Sequence, residues 1–276
     1  MTPEQRYLDL LKRVLTRTAF GERYAPVAPA EGGSAARRTR ASLYRPMRRL
    51  LARKGLEVVR AVPFDPEARQ IGGVWPGAET QIGLSGLDNL QSCIEACLSE
   101  DVAGDLLETG VWRGGAAIFM RGVLAAHGVT DRVVWAADSF AGLPKPDAAR
   151  YPQDEGDLHW TRPDLAVPLE EVRANFERYG LLDDQVRFLV GWFEDTLPSA
   201  PVERLAVLRL DGDMYGSTMV ALESLYPRLQ PGGFCIVDDW HVKRARQAVE
   251  DYRERVDATE PVVAFDRYRA FWRKGR

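Results

Sequence analysis

Short apolar runs alternate with amphipathic helical patterns along most of the chain, from about residue 84 to the C-terminus. Each run is a few residues long and largely apolar, which is typical of strands that are buried on both faces. Repeated strand–helix units predict an α/β fold with a doubly wound, mostly parallel sheet and right-handed crossovers. The predicted strands cover residues 106–108, 133–138, 186–190, 205–211 and 233–238.

The C-terminal segment predicts a different strand arrangement. Residues 262–265 (VVAF) and 268–272 (YRAFW) are two β-prone runs separated by two residues. Two such runs around a short turn are typical of a hairpin. We expect this hairpin to add an antiparallel edge to the sheet.

The N-terminal part of the chain follows another pattern. Apolar positions at helical spacing predict an amphipathic helix over residues 4–18. Residues 21–78 are rich in Pro, Gly and Arg and contain one basic helical pattern near residues 43–60. We therefore divide the chain into an N-terminal helix with a basic arm, residues 1–83, and a sheet domain, residues 84–276.

Composition excludes several classes of protein. The chain has 276 residues, 45% of them hydrophobic, which is enough for a large core without disulfide or metal cross-links. No stretch approaches the ~18 consecutive apolar residues of a membrane span, and the N-terminus lacks signal-peptide features. The three cysteines are odd in number and form no C-x-x-C pair. We expect reduced thiols in a cytoplasmic protein without a membrane partner.

Charge is distributed unevenly, although the net charge is only −3. Residues 1–75 carry a net charge of +8 and the remaining residues −11. The run from Arg37 to Arg60 holds eight Arg and one Lys against a single acid, Glu57. Clustered basic residues are one footprint of nucleic-acid binding, but this run contains one aromatic residue and no known reader motif. We expect a solvated or partner-contacting arm and no nucleic-acid partner.

The turn after the first strand is a candidate binding element, because ligands of doubly wound sheets bind beyond the carboxyl ends of the strands. It reads E-T-G-V-W-R-G-G over residues 108–115, and Gly110 permits a tight turn. The G-x-G-x-x-G spacing is absent, and Glu108 would repel a pyrophosphate. An acid beside helix N–H groups suits a ligand with an ammonium and a carboxylate, such as the methionine end of S-adenosylmethionine. An ordinary strand–helix turn is the alternative.

Two further turns carry candidate cofactor contacts. Asp138 ends the second strand, where a carboxylate can accept hydrogen bonds from both ribose hydroxyls, and Phe140 is placed to pack on a ring. Trp192 follows the third strand and is large enough to cover an adenine face. The alternatives are a capping role for Asp138 and a core position for Trp192.

Four aspartates end the fourth and fifth strands: Asp211, Asp213, Asp238 and Asp239. Because these strands are expected to be neighbours, the carboxylates should converge, and like charges so close need a cation among them. Oxygen-only ligands without a nearby Cys or His cluster favour a hard divalent ion, and Mg²⁺ leaves coordination positions for a substrate. Capping of two helices is the alternative.

A long loop and three histidines complete the candidate chemistry. Residues 141–168 are rich in Pro and Asp and lack periodicity, which in a compact domain is typical of a lid. His159 lies in this loop and is a candidate substrate contact. His241 follows the second aspartate pair and either donates to it or is exposed. His127 precedes Gly128 and is expected to cap a helix end.

Four motifs in this order carry a family resemblance: ETGVWRGGA, ADSFAGLP, LRLDGDMYGST and GGFCIVDDWH. Together with the N-terminal YLDLLKRVLT helix, they resemble the macrocin O-methyltransferase family of bacterial sugar methyltransferases. The resemblance implies a class I methyltransferase (Rossmann-like) fold, with residues 84–276 as the S-adenosylmethionine-binding domain. It also implies Mg²⁺ and, as the acceptor, a deoxysugar hydroxyl on a glycosylated natural product.

The resemblance also implies roles for individual residues. Asp211, Asp238 and Asp239 match the metal ligands, and Asp213 matches the proposed general base. Segment 78–83 matches a family segment that closes over cofactor and substrate, although two of its residues differ from the usual family sequence. The implied cofactor contacts are Thr80, Gln81, Glu108, Thr109, Gly110, Trp112, Asp138, Ser139, Phe140, Trp192 and Asp211.

The sequence therefore predicts an S-adenosylmethionine- and Mg²⁺-dependent O-methyltransferase that acts on a sugar hydroxyl of a small-molecule glycoside. A catechol or polyphenol methyltransferase is the nearest alternative, because vicinal hydroxyls also chelate Mg²⁺. An NAD-dependent dehydrogenase would need a G-x-G-x-x-G turn that the sequence lacks. We expect a homo-oligomer, a dimer or larger, built through the N-terminal arm, which also contributes acceptor contacts.

Overall fold

The computed structural model describes residues 1–21, 24–26, 46–47, 49–61, 64–75 and 77–275. The strands are β1 (Tyr24–Pro26), β2 (Val59–Ala61), β3 (Asp105–Thr109), β4 (Val134–Asp138), β5 (Val186–Val190), β6 (Leu205–Leu210), β7 (Leu229–Val237), β8 (Val263–Ala264) and β9 (Ala270–Arg273). The helices with described bounds are α1 (Pro3–Leu15), α2 (Pro66–Ile71), α3 (Gly83–Ser99), α4 (Gly115–Ala126), α5 (Leu169–Arg178), α6 (Phe193–Thr196), α7 (Tyr215–Leu225) and α8 (Lys243–Arg255). The basic helix expected near residues 43–60 is described in part, with residues 46–47 and 49–52 helical.

Seven strands form one sheet in the order β5-β4-β3-β6-β7-β9-β8. The strands from β3 to β7 are parallel, and β9 pairs antiparallel with both β7 and β8. This confirms the predicted doubly wound sheet with an antiparallel C-terminal hairpin. The predicted bounds of β3, β4, β5 and β6 agree with the structure to within one residue, whereas β7 begins at Leu229 rather than at residue 233.

The turn of the C-terminal hairpin is longer than expected. Ala264 pairs with Ala270, so the turn spans residues 265–269 and the expected two-residue turn is wrong. The side chain of Asp266 explains the wider loop, because it accepts hydrogen bonds from the backbone N–H groups of Tyr268 (2.8 Å) and Arg269 (2.9 Å). This loop brings both of those residues to the site described below.

Helices cover both faces of the sheet and create two hydrophobic cores. Helices α1, α3, α4 and α5 contribute one core, and α7 and α8 contribute the other. The chain leaves β3 for β4 on one side and later returns to β6 on the other side, so the topological switch point lies between β3 and β6. Ligands of such sheets bind at the carboxyl ends of the strands near this point.

The N-terminal segment packs on the sheet domain. Helix α1 begins with a reciprocal cap between Thr2 and Gln5, and it buries Leu8 and Leu11 in the core that α4 shares. It ends at Leu15, three residues earlier than predicted. The strands β1 and β2 form a separate antiparallel pair.

Two further expectations concern the compartment of the protein. The thiols of Cys93, Cys97 and Cys235 are free and buried, as expected. Within the described ranges, no helix combines the length and the apolar character that crossing a bilayer requires.

Candidate active site

A cavity of about 410 Å³ lies at the carboxyl ends of β3, β6 and β7, at the switch point of the sheet. Two irregular segments close it from the sides, one through residues 72–73 and 79–82 and one within residues 142–165. Twelve of the residues predicted to contact the cofactor, to bind the metal or to act as the base line this cavity. They are Thr80, Gln81, Glu108, Gly110, Trp112, Asp138, Ser139, Trp192, Asp211, Asp213, Asp238 and Asp239.

Two of the predicted cofactor contacts are not brought to the cavity. The side chain of Thr109 is buried between strands, and its hydroxyl donates to the carbonyl of Arg209 at 3.4 Å. Phe140 packs edge-on against Phe188, with ring centroids 6.2 Å apart, and belongs to the core. Strand ends place alternate side chains in the core and in the site, and sequence spacing alone did not separate them.

Three carboxylates converge at the floor of the cavity. One oxygen from each of Asp211, Asp238 and Asp239 lies within 4.8 Å of the others. The backbone N–H of Asp213 donates to Asp239 Oδ2 at 2.8 Å, and its φ of 58° turns the chain sharply. Three converging oxygen donors fit a divalent cation such as Mg²⁺.

A buried arginine ties the floor together. Arg209 Nη1 lies 2.5 Å from Glu108 Oε1, and Nη2 lies 3.0 Å from Asp211 Oδ2 and 2.7 Å from Asp238 Oδ1. Arg269 Nε approaches the same Asp238 oxygen at 2.6 Å. Arg209 and Glu108 are each 2% exposed, so they satisfy each other away from water, as buried charges must.

The crowded carboxylates change one another's proton affinity. Burial and the neighbouring Asp238 raise the pKa of Asp211 well above its ordinary value, against the effect of Arg209. Burial and adjacent carboxylates do the same to the pKa of Asp239. Burial also acts to raise the pKa of Asp238, but Arg209 and Arg269 outweigh it and hold that pKa below its ordinary value. A bound cation would offset this repulsion, which again fits a metal site.

The turn after β3 brings the strand ends into close contact. Gly110 has a φ of 81°, and a Cβ there would lie 1.7 Å from the main-chain oxygen of Asp211, so the position requires glycine. The N–H of Gly115, at the start of α4, donates to the carbonyl of Glu79 at 2.9 Å. The expectation that this helix end offers its N–H groups to an anion is therefore wrong for Gly115, because segment 78–81 already occupies it.

The cofactor candidates Asp138 and Glu108 present acids to the cavity. Asp138 accepts hydrogen bonds from the N–H groups of Val111 and Phe140, both at 2.7 Å. It therefore caps the turn, which was the alternative to a cofactor contact. Each carboxylate oxygen has two acceptor sites, which leaves capacity for a ribose hydroxyl. The buried Oε2 of Glu108 accepts no hydrogen bond of ordinary geometry from the described residues. An unsatisfied carboxylate oxygen fits the ammonium and sulfonium charges of S-adenosylmethionine.

The loop expected to be a lid runs over the cavity in three 3₁₀ turns, Pro152–Asp154, His159–Thr161 and Pro163–Leu165. Asp154 is 1% exposed and accepts hydrogen bonds from the N–H groups of Tyr215 and Gly216, each at 2.8 Å, at the start of α7. The carboxylate of Asp154 is therefore one of the groups that fix the loop to the sheet domain.

The three histidines differ in position. His159 and His241 line the cavity, and the ring of His241 packs on Tyr268 with centroids 4.7 Å apart. His127 is the residue at the C-terminal cap of α4, as expected, and its Nε2 lies 3.0 Å from Glu95 Oε1.

The sequence reading missed several site residues. Arg209 is a charged residue inside the apolar run LAVLRL, and this pattern indicates a buried partner charge. The roles of Arg269, Asp154 and Gly115 depend on contacts between segments distant in sequence, and no local pattern indicates them.

Comparison with known proteins settles the family. The family described as Macrocin-O-methyltransferase (TylF) matches residues 4–274. The chain belongs to this family. Its members are O-methyltransferases, so this protein is an O-methyltransferase with the class I fold, as the motifs predicted.

Characterised relatives of the family are similar over most of the chain. The 8-demethyl-8-(2,3-dimethoxy-α-L-rhamnosyl)-tetracenomycin-C 4′-O-methyltransferase of Streptomyces olivaceus is 50% identical, over 99% of this chain and 95% of its own length. The mycinamicin III 3″-O-methyltransferase of Micromonospora griseorubida is 52% identical over 79% of this chain and 87% of its own length.

Solved structures support the same assignment. The O-methyltransferase NovP is 42% identical and superposes with a TM-score of 0.82, covering 99% of this chain and 100% of its own. The calicheamicin methyltransferase CalS11 is 17% identical with a TM-score of 0.54, covering 100% of this chain and 95% of its own, and it shares the fold.

Proposed function

We propose that this protein transfers a methyl group from S-adenosylmethionine to a hydroxyl of a sugar on a glycosylated natural product, with the help of Mg²⁺. The observation that carries the proposal is the convergence of the carboxylates of Asp211, Asp238 and Asp239 beside a cavity with further buried acids. The similar proteins named above support a sugar acceptor, because one is a rhamnosyl-tetracenomycin 4′-O-methyltransferase and another a mycinamicin 3″-O-methyltransferase.

Mg²⁺ and S-adenosylmethionine have separate binding sites in this proposal. Asp211, Asp238 and Asp239 would hold Mg²⁺, and the β3 turn with Glu108 and Asp138 would hold S-adenosylmethionine. When bound, the sulfonium supplies an activated methyl group and Mg²⁺ lowers the pKa of the acceptor hydroxyl.

Asp213 is the general base in this proposal. Burial and the neighbouring Asp211 and Asp238 raise the pKa of Asp213 to about 7, against the effect of Arg162 in the lid. A carboxylate with a raised pKa is a stronger proton acceptor than an ordinary one. The hydrogen bond from its N–H to Asp239 fixes the backbone of Asp213, while the lid covers the cavity and excludes water.

An acceptor panel tests the proposal. The purified protein is incubated with S-adenosylmethionine and Mg²⁺ and either deoxysugar glycosides or catechols, and methylated products are measured by mass spectrometry. We expect turnover of glycosides that stops with EDTA and returns with added Mg²⁺. Turnover of catechols alone would favour the competing acceptor class, and full activity in EDTA would refute the role of the metal.

The variant Asp213→Asn separates base catalysis from binding. We expect it to lower kcat at least ~100-fold, the scale of general-base catalysis, because the amide cannot accept the proton. Binding of S-adenosylhomocysteine, measured by calorimetry, should stay within about twofold of wild type. Retained turnover by this variant would assign the base elsewhere.

We also propose that the protein is a cytoplasmic homo-oligomer assembled through residues 1–83. Support comes from the buried free thiols and from apolar side chains that the N-terminal segment exposes, including Leu10 and Phe20. Light scattering on the full chain and on a Leu10→Ser, Phe20→Ser variant tests the assembly, which the substitutions should weaken.

A further inference from the structure

His159 is held in one orientation by a buried carboxylate. Its Nδ1 lies 2.7 Å from Asp157 Oδ1, and its backbone N–H donates to the same oxygen at 2.9 Å. The side chain of Asp157 is 2% exposed, and its other oxygen lies 2.7 Å from Nη1 of Arg244, in the first turn of α8. The lid turn, the carboxylate and a helix of the sheet domain are thus joined in one chain of contacts.

This arrangement determines which ring nitrogen is available. Burial acts to raise the pKa of Asp157, but hydrogen bonds from the N–H and the ring of His159 and the charge of Arg244 outweigh it and lower that pKa, so this carboxyl is an anion. An ionised carboxylate only accepts hydrogen bonds, so Nδ1 carries the proton that faces it. Nε2 is then the ring nitrogen that faces away from Asp157. No described residue supplies a partner for it, and the side chain is 40% exposed in a residue that lines the cavity.

The same turn lines the cavity that also holds the aspartate proposed as the base. Asp157 and Arg162, on either side of His159, both act electrostatically on Asp213 across the cavity. Among residues 158–160, His159 lines the cavity, while the flanking Leu158 and Trp160, 68% and 40% exposed, do not.

We propose that His159 is an acceptor-contacting residue, whose Nε2 forms a hydrogen bond with a hydroxyl of the acceptor, and that Asp157 is its positioning residue. The inference rests on the proposed methyl transfer to a hydroxyl and adds a contact from the lid. The contact orients the acceptor over Asp213, on the side opposite the strand ends. The competing explanation is purely structural, in which the pair only fastens the lid to α8.

Steady-state kinetics of His159→Ala test the contact with any acceptor that the wild type methylates. We expect the acceptor KM to rise about tenfold, the effect of one lost hydrogen bond, with kcat within about threefold of wild type. Affinity for S-adenosylhomocysteine should not change. His159→Gln places an amide near the position of Nε2 and should recover most of the loss.

His127→Ala is the matched control, because His127 is also paired with a carboxylate, Glu95, but does not line the cavity. It should leave the acceptor KM unchanged. An unchanged KM in His159→Ala, or an equal loss of cofactor affinity, would overturn the acceptor contact. Failure of the wild type to methylate any hydroxyl would instead refute the proposed function.

A double-mutant comparison tests the positioning role of Asp157. Asp157→Ala should raise the acceptor KM about threefold alone, because the ring loses its fixed orientation. In the presence of His159→Ala it should raise KM no further, since the residue that it positions is gone. Additive effects would show that Asp157 acts through the lid and would overturn its role as the positioning residue.

Discussion

The floor and the walls of the cavity are built in different ways. The floor, residues 108–110, 211–213 and 238–239, continues directly from strands β3, β6 and β7, whose neighbours fix the backbone on both sides. The walls, residues 72–75, 77–82 and 142–165, have mostly irregular backbone and short turns. Individual hydrogen bonds to the sheet domain, such as that from Gly115 to Glu79, hold them in place.

This difference separates two demands on the site. Converging charges need a rigid frame, because carboxylates that repel one another separate if the backbone allows it. The walls need only to close around ligands and exclude water, and a few contacts at each end suffice for that. The floor is therefore expected to determine whether methyl transfer occurs, and the walls are expected to determine how well ligands bind.

The largest effect is expected at the floor. Asp239→Asn removes one charge of the proposed metal site but keeps an acceptor for the N–H of Asp213. We expect activity to fall about 10³-fold, since a metal ion contributes several kcal/mol to catalysis. Calorimetry with Mg²⁺ or Mn²⁺ should show the loss of binding.

The stability of the same variant provides the control. Because repulsion and burial raise the pKa of Asp239, removing its charge should leave the melting temperature in EDTA unchanged or higher. Asp184→Asn, at an exposed carboxylate, should change neither activity nor metal affinity. Unimpaired metal binding by Asp239→Asn would show that the floor does not hold the ion through this residue.

A smaller effect is expected where a wall meets the floor. A Cβ in Gly115→Ala would lie 2.4 Å from the carbonyl oxygen of Glu79 and 2.5 Å from Cβ of Thr80, so segment 78–81 must move. We expect affinity for S-adenosylhomocysteine to fall about tenfold while metal affinity is retained. Overpacking of this kind typically costs about 1–3 kcal/mol of stability.

Gly128→Ala is the matched control at the other end of the same helix. Nothing lies within 4 Å of its Cβ position, so only the strain of a φ of 64° remains. It should cost about 1 kcal/mol of stability and leave cofactor affinity unchanged. Equal affinity losses in the two variants would mean that helix stability, rather than the wall, controls cofactor binding.

The sequence predicted the floor better than the walls. Residues 186–190 were predicted with the observed bounds, and the convergence of Asp211, Asp238 and Asp239, three of the four aspartates, followed from the alternation of strands and helices. These features depend on local hydrophobic pattern and on general rules of sheet topology. The prediction missed one floor residue, Arg209. Its position as a charged residue within an apolar strand indicates a buried partner charge and could have identified it.

The positions of the walls and of the hairpin loop could not be predicted from the local sequence pattern. Asp154 accepts hydrogen bonds from Tyr215 and Gly216, which lie 61 and 62 positions further along the chain. The hairpin loop was predicted too short, because the side chain of Asp266 reorganises it through contacts with Arg269 and Ser85. Irregular segments have no periodicity, so their positions depend on single tertiary contacts that the sequence alone does not identify.

A further effect, on stability, is expected where Asp154 of the lid contacts the start of α7. Asp154→Ala removes two hydrogen bonds at the start of α7 and leaves two buried N–H groups unsatisfied. We expect unfolding in urea to show a loss of about 1–3 kcal/mol, and proteolysis within residues 141–168 to become faster. Asp147→Ala, at an exposed residue that caps the same loop locally, should have less than about half the effect.

The smallest effect is expected at an ion pair outside both regions. Nε and Nη2 of Arg121 both donate to the carboxylate of Asp183, which lowers the pKa of this carboxyl, against the effect of burial. A lowered pKa in the folded state stabilises the protein above the unfolded value of about 3.9, and this stabilisation is lost as the pH falls through the folded value.

Asp183→Asn should therefore reduce the free energy of unfolding at pH 7 by less than about 1 kcal/mol, because the carboxylate is 41% exposed and solvent screens the pair. Urea unfolding at pH 7 and at pH 4 should show the difference from wild type shrinking at the lower pH. Activity should not change at either pH. A loss of activity would mean that helix α4, which carries Arg121, transmits strain to the floor. The floor would then depend on the helices around the sheet more than the geometry indicates.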